Sequence, residues 1–390
     1  SDPKSIVDLN KDHIDYTVRS ISAGERQKSI GDPRGIVWNS AGTRAYITGL
    51  GSNNLIVVDQ NGERAGLGNT VNLHDGPTGL AIDETRGRLY VLNRFDASVS
   101  VVDLAGETEL ARVPFFDPTP AAIKTGRKHL YNTIENSGLG QVSCASCHID
   151  ARMDRIGWDL GDPSGDVKAL DNLNLGANVP GVNTGFQPFH PMKGPMTTQT
   201  LIGIIGHEPF HWRGDRLGLN EFNPAFVSLL GRDAQLTDAE MQEFKDFLAQ
   251  TWFPPNPYRN LDNSLPEHLD LSDMLGPAPP GQPRTPLGVG NARHGLRVFL
   301  ATGPGCSECH SLPSGRGTPL RYDDYTFTPA SPGPHGERSL RLATSANSGV
   351  QTLRKPAQLT GFYAKLGFDA LSTDQSTMGF GFLSAGPLGS

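Results

Sequence analysis

The sequence predicts a multidomain α+β chain, with β-sheet repeats in its N-terminal part and two mainly helical domains after them. Three observations carry this reading. A run of short β-branched segments repeats every 44 residues over the first 120. Helical spacing of apolar residues replaces it from about residue 121. All four cysteines fall in two pentads, Cys144-Ala-Ser-Cys147-His148 and Cys306-Ser-Glu-Cys309-His310. At 390 residues the chain is also too long for one core.

The repeat is read directly. Pro33-Arg34-Gly35-Ile36-Val37 opens one copy and Pro77-Thr78-Gly79-Leu80-Ala81 the next. Arg44-Ala45-Tyr46-Ile47-Thr48 then matches Arg88-Leu89-Tyr90-Val91-Leu92, and Leu55-Ile56-Val57-Val58-Asp59 matches Val99-Ser100-Val101-Val102-Asp103. Short strands between Gly, Asn and Asp turns at this period make the pattern of a β-propeller blade. A third copy begins near Pro118 to Ala122 and gives way to helical sequence. Over these residues the chain resembles the surface-layer-type (YVTN-like) seven-bladed propeller family, with Tyr90-Val91-Leu92-Asn93 near its namesake motif. Closure takes about four blades or more, so residues 1–120 are expected to be a partial propeller. The missing blades are expected to have been removed or to lie on another polypeptide or second subunit; a small open sheet packed on the helical domains is the other reading.

The first helical domain is placed at 121–260. A helical stretch through Lys128, Leu130 and Tyr131 leads to the Gly138 to Gly140 turn before the first pentad. Thr237-Asp238-Ala239-Glu240 is a capping box, and Met241, Phe244, Phe247, Leu248 and Thr251 follow at helical spacing as packing residues. Phe253-Pro254-Pro255-Asn256-Pro257 stops that helix, and residues 261–285 form a Pro-rich linker. The second domain, 286–385, repeats the arrangement: Ala292 to Leu300, then Gly303-Pro304-Gly305, then the pentad. Residues 386–390 read as a vector-derived tail.

Two thiols three positions apart can each add to one vinyl group of a haem, and the adjacent histidine then binds the iron. Zinc and thioredoxin-like dithiols also use Cys-x-x-Cys. Zinc would leave two Cys2His sets more than 150 residues apart, and neither pentad lies in a βαβ pattern. The pentads therefore predict two covalent haem c groups, with Cys144, Cys147, Cys306 and Cys309 as attachment points and His148 and His310 as iron ligands. Covalent haem attachment outside the cytoplasm implies a periplasmic or cell-surface protein whose signal peptide has been cleaved. No apolar run approaches the roughly 18 residues of a membrane span. A formal charge of −7 excludes a nucleic-acid binder and favours a basic redox partner.

The segment Pro195-Met196-Thr197-Thr198-Gln199-Thr200-Leu201, then His207 and Phe210-His211-Trp212-Arg213-Gly214-Asp215, then Phe226-Val227-Ser228-Leu229-Leu230-Gly231, resembles the bacterial di-haem cytochrome c peroxidase family and the related di-haem maturase of methylamine dehydrogenase. The resemblance spans roughly residues 121–383 and implies two cytochrome c-like domains. Trp212-Arg213 modifies the family's His-Asp-Gly turn, and Leu230 stands where the peroxidases place a ligating methionine. Leucine cannot bind iron. The first haem then has either an open distal face or a sixth ligand from the cluster His190, Met192, Met196, His207 and His211, with Met196 or His211 preferred. Packing against the macrocycle is the alternative role for each. Arg213 and Arg216 suit haem propionates. For the second haem Met378 is preferred and His335 is next; the family's second His-Asp-Gly turn and closing helix are absent.

The resemblance implies an oxidoreductase that receives electrons from a partner cytochrome, cupredoxin or dehydrogenase at one haem and reduces peroxide or a related oxidant at the other. His207 or Glu208 would serve as acid and base. An electron-transfer module with two six-coordinate irons is the second reading, and a surface binding or assembly protein the third.

Overall fold

The computed structural model describes residues 6–64, 70–158, 196–208, 210, 211, 216, 218–272, 285–301, 306–308, 310, 312, 342–344, 352–354 and 358–362. The chain divides into two compact units, Ser1–Ala151 with Asn220–Gln250, and Arg152–Leu219 with Thr251–Ser390. It is mixed α+β, with two four-stranded antiparallel sheets and several short helices. Among the described residues no helix is long and apolar enough to cross a membrane.

The repeat becomes the two sheets of the first unit. Strands β1 (Pro33–Trp38), β2 (Arg44–Gly49), β3 (Asn54–Asp59) and β4 (Thr70–Asn72) form one, in that order; β5 (Pro77–Asp83), β6 (Arg88–Asn93), β7 (Ser98–Asp103) and β8 (Thr108–Pro114) form the other. Pairing within each repeat is equivalent: Tyr46 opposes Val57 as Tyr90 opposes Val101. Period-two alternation places Tyr46, Leu55, Val57 and Val71 of the first sheet in one core with Leu89, Val91 and Val102 of the second. Each such fully buried side chain contributes on the order of 1.5–3 kcal/mol.

The opposite face of the first sheet is also covered. Ala45, Ile47, Ile56 and Val58 form a second core with Ile30, against which Leu9 packs. The segment that supplies Leu9 and Ile30 is tied down by a reciprocal pair, Asn10 Nδ2 donating to the Ile30 carbonyl at 3.0 Å and the Ile30 N–H donating to Asn10 Oδ1 at 2.9 Å. The buried Arg64 guanidinium donates to the Leu9 and Lys28 carbonyls, at 3.2 and 2.8 Å. The second sheet differs. The counterparts of Tyr46, Leu55 and Val57 are Tyr90, Val99 and Val101, which are only half-buried, and Leu92 and Val113 beside them are 38% and 54% exposed.

The incipient third copy becomes helix. After α1 (Ala23–Arg26) in the N-terminal segment, α2 (Ala121–Gly126), α3 (Lys128–Tyr131) and α4 (Thr133–Asn136) follow the sheets, and α5 (Asn223–Ser228) and α6 (Asp238–Ala249) complete the first unit. The capping box at the start of α6 is formed: Thr237 Oγ1 accepts from the Glu240 N–H at 3.2 Å, and the Glu240 carboxylate accepts from the Thr237 N–H at 2.7 Å. Met241, Phe244, Phe247 and Leu248 are buried, while Thr251 lies past the helix end. Helix α2 approaches α6 closely, because a Cβ on Gly126 would stand 2.1 Å from the Glu243 carbonyl oxygen. The buried His129 of α3 bonds Glu243 at 2.9 Å.

In the second unit β9 (Gly157–Trp158) pairs with β10 (Met196–Thr197), β11 (Leu269–Asp270) with β12 (Val289–Gly290), and β13 (Leu342–Thr344) with β14 (Thr352–Arg354). Helix α7 (Ala292–Phe299) is capped by Asn291, whose Oδ1 accepts from the His294 N–H at 2.8 Å.

Candidate functional site

The approach to the first pentad is fixed by backbone bonds. Gly138 donates to the Leu230 carbonyl at 2.9 Å, and its own carbonyl accepts from Ile21 at 3.0 Å. A Cβ there would lie 2.1 Å from the Arg19 carbonyl oxygen and 2.3 Å from that of Gly231, so only glycine fits. The Gly140 N–H donates to Ser137 Oγ at 2.9 Å, and Ser137 Oγ donates to the Thr133 carbonyl at the same distance. This joins the pentad to α4 on one side and to the half-buried Leu230, just after α5, on the other.

The pentad itself is a tight turn. Cys144–Ser146 is a 3₁₀ turn, and the His148 N–H donates to the Cys144 carbonyl at 2.9 Å. That closure puts two thiols and an imidazole on one turn. Desolvation, and then the neighbouring Cys147, pushes the Cys144 thiol up to about 12, so it is protonated at neutral pH. Ser143 and Ser146 form a capping box at the start of the turn, while Thr133 Oγ1 and Gln141 Oε1 are buried with no hydrogen-bond partner among the described residues. The chain then leaves His148 through Asp150 and Ala151, both left-handed at φ 51° and 60°.

The second pentad repeats the turn. Cys306–Glu308 is again 3₁₀, and the His310 N–H donates to the Cys306 carbonyl at 2.9 Å. Cys306 is exposed, and Cys309 lies outside the described residues. Cys144, Cys147 and Cys306 carry thiols. Among the described residues no three His, Cys, Asp or Glu side chains group so as to hold a bare metal ion.

Of the remaining sequence-derived candidates, Met196 lies on β10, where it pairs with Trp158. His207 closes a turn by donating its backbone N–H to the Ile204 carbonyl at 2.9 Å, and both His207 and Glu208 are half-buried. The Phe210 N–H donates to the Arg216 carbonyl at 2.6 Å, with His211 left-handed at φ 64° between them. Phe210 and Arg216 are thereby paired across the stretch that holds the modified motif, whose residues 212–215 lie outside the described residues. His190, Met192, Arg213, His335 and Met378 lie outside the described residues. His148 belongs to the first unit, and Met196, His207, Glu208, His211 and Arg216 to the second.

Two features were not anticipated from sequence. Arg34 of β1 reaches Asp150, just after the first pentad, across 116 residues of chain. The signal available was a break in the repeat, since Arg34 stands where the next copy has Thr78. A cavity of about 60 Å3 lies between the sheet ends and α2–α3, lined by Asp75, Phe95, Lys124, Arg127, Lys128 and Tyr131 among others. The Arg127 guanidinium sits 4.7 Å above the Phe95 ring, and the Tyr131 ring lies 5.0 Å from that ring.

No family model and no curated protein matches the chain. Among solved structures, hydrazine synthase of Kuenenia stuttgartiensis is similar at 24% identity and TM-score 0.21, covering 23% of this chain and 25% of that one. A xenon-pressurized form of the same enzyme is similar at 16% identity and TM-score 0.32, covering 68% and 69%. AztD from Citrobacter koseri is similar at 16% identity and TM-score 0.18, covering 21% and 23%. The chain thus spans about a quarter of the length of the first and third of these.

Proposed function

We propose that the chain is a periplasmic or cell-surface di-haem c-type cytochrome with peroxidase-type oxidoreductase activity, its two haem-bearing regions being cytochrome c-like domains. The observation that carries this reading is the shared turn: both pentads close the histidine N–H onto the first cysteine carbonyl at 2.9 Å, although they lie in different units. The donor chemistry of each pentad, two thiols and one imidazole, fits the two thioether links and the histidine ligand that a haem c would need.

Haem held at both pentads would supply two redox couples, one receiving electrons from a partner cytochrome, cupredoxin or dehydrogenase and the other reducing peroxide or a related oxidant. The chain's own groups do the rest. His148 and His310 would hold the iron, Arg213 and Arg216 would pair with propionates, and His207 or Glu208 would hold or move the proton that the reduction requires. With leucine at position 230, the first iron would either be open or take Met196 or His211, the preferred candidates, and Met378 would close the second. The open face of the second sheet suits a further blade supplied by another polypeptide.

The test is the intact mass of the protein followed by its electron paramagnetic resonance, oxidised and half-reduced, with and without hydrogen peroxide. Two haem additions and a high-spin iron that reacts with peroxide are expected. A mass without haem would end the proposal, and two low-spin irons inert to peroxide in both states would make the protein an electron carrier.

A further inference from the structure

Arg34, a side chain of the first sheet, grips the segment carrying the first pentad. Its Nε and Nη2 donate to the two oxygens of Asp32 at 2.9 and 3.1 Å, and its Nη1 and Nη2 donate to the two oxygens of Asp150 at 3.3 and 3.2 Å. The planar guanidinium therefore bridges two carboxylates, a geometry a lysine cannot reproduce. Both carboxylates sit on left-handed backbone, Asp32 at φ 50° and Asp150 at φ 51°. Conformations of that kind cost on the order of 1 kcal/mol or more and persist where surroundings hold them.

Position gives the clamp its meaning. Asp150 is two residues beyond His148, and the Ala151 N–H returns to the His148 carbonyl at 2.9 Å. Asp32 is anchored in turn, since its carbonyl accepts from the Leu50 N–H at 2.9 Å. The adjoining strand ends press on the helices before the pentad: a Cβ on Gly31 would meet Thr133 Oγ1 at 2.3 Å, and the Thr133 N–H donates to the Gly51 carbonyl at 2.8 Å. The pentad is thus held from both sides, by Gly51 to Thr133 before it and by Arg34 to Asp150 after it. Asp150 is half exposed, at 51%, so its pair with Arg34 adds little stability; what it contributes is direction.

We propose that Arg34 is a positioning residue for His148: by bridging Asp32 and Asp150 it fixes the left-handed exit from the first pentad, so that the first sheet sets the orientation of the histidine ring at the iron. The inference rests on the haem reading above. It makes the sheets part of the redox site, with a direct mechanical tie to one haem of the two.

The experiment uses the full chain carrying its haems, with Arg34→Gln and Arg34→Lys compared with the parent by intact mass, spectroelectrochemistry and paramagnetic resonance. Both substitutions are expected to retain two haems and to shift the midpoint potential and the g-values of one haem, leaving the other unchanged. Lysine should shift them too, because it keeps the charge and loses the fork. Arg34→Lys at parent values would reduce the effect to bare charge and overturn positioning, as would unchanged spectra in both variants. A parent protein without haem at the first pentad would instead defeat the haem reading. Should the Arg34 variants fail to fold, Asp150→Asn, in an exposed turn, is read by the same criteria.

Discussion

Gly35 and Gly79 occupy the same place one repeat apart and differ in what faces them. A Cβ on Gly35 would stand 2.1 Å from the Thr78 carbonyl oxygen of the neighbouring sheet, whereas on Gly79 the nearest atom is Leu92 Cβ at 3.7 Å, within its own sheet. Gly35→Ala is therefore expected to destabilise the protein by about 1–3 kcal/mol through overpacking. Gly79→Ala is expected to be neutral or slightly stabilising, and urea denaturation of both variants checks the contrast; equal costs would remove the argument. Asp96 gives a second residue-scale expectation. Burial works against its carboxylate, but Arg112, bonded at 2.6 Å through two nitrogens, and the Ser98 hydroxyl outweigh it and hold the group below the usual range. A depressed folded-state value contributes stability that is present above the unfolded value, about 3.9, and lost as pH falls through the folded one. The urea midpoint should thus fall more steeply on acidification below about pH 4 in the parent than in Asp96→Asn; parallel slopes would exclude the pair as a source of acid sensitivity.

At the level of elements, α6 tests how local signals become structure. Its Thr237 to Glu240 box was readable in the sequence and is formed, so Thr237→Ala is expected to cost about 1 kcal/mol, measured as a lower thermal midpoint. The strands were readable for a related reason: β2 and β6, or β3 and β7, repeat both their pattern and their pairing at one offset. What stayed hidden is what depends on chain segments far apart. Nothing near Arg34 in sequence announces Asp150, and nothing near Leu230 announces that its carbonyl takes the Gly138 N–H. The pentads were legible as candidate attachment sites because five adjacent residues suffice to define them. Sixth ligands for the proposed haems were not, because a choice among Met196, His211 and Met378 rests on three-dimensional proximity, for which spacing carries no information, and Met378 lies outside the described residues.

For the whole molecule, if the chain exchanges electrons as proposed, its formal charge of −7 is expected to govern the encounter with its partner. Electron-transfer rates with a basic small cytochrome should fall as ionic strength rises, since screening shortens the reach of the field to about 8 Å at physiological salt; stopped-flow rates that ignore salt would point to a neutral docking face. The sheets carry a different consequence. The first is covered on both faces, by Leu9 and Ile30 on one and by the second sheet on the other, while the second has a core on one face and, among the described residues, only half-buried side chains such as Tyr90, Val99 and Val101 on the other. Stability in stacked sheets is set by neighbours, so the two equivalently paired repeats should not breathe alike. Amide protons of β6 and β7 should exchange through a partial opening in which the outer sheet peels away and the inner one stays closed, while those of β2 and β3 await global unfolding. Two copies of one sequence pattern would then keep different time, the slower clock belonging to the sheet that holds Arg34.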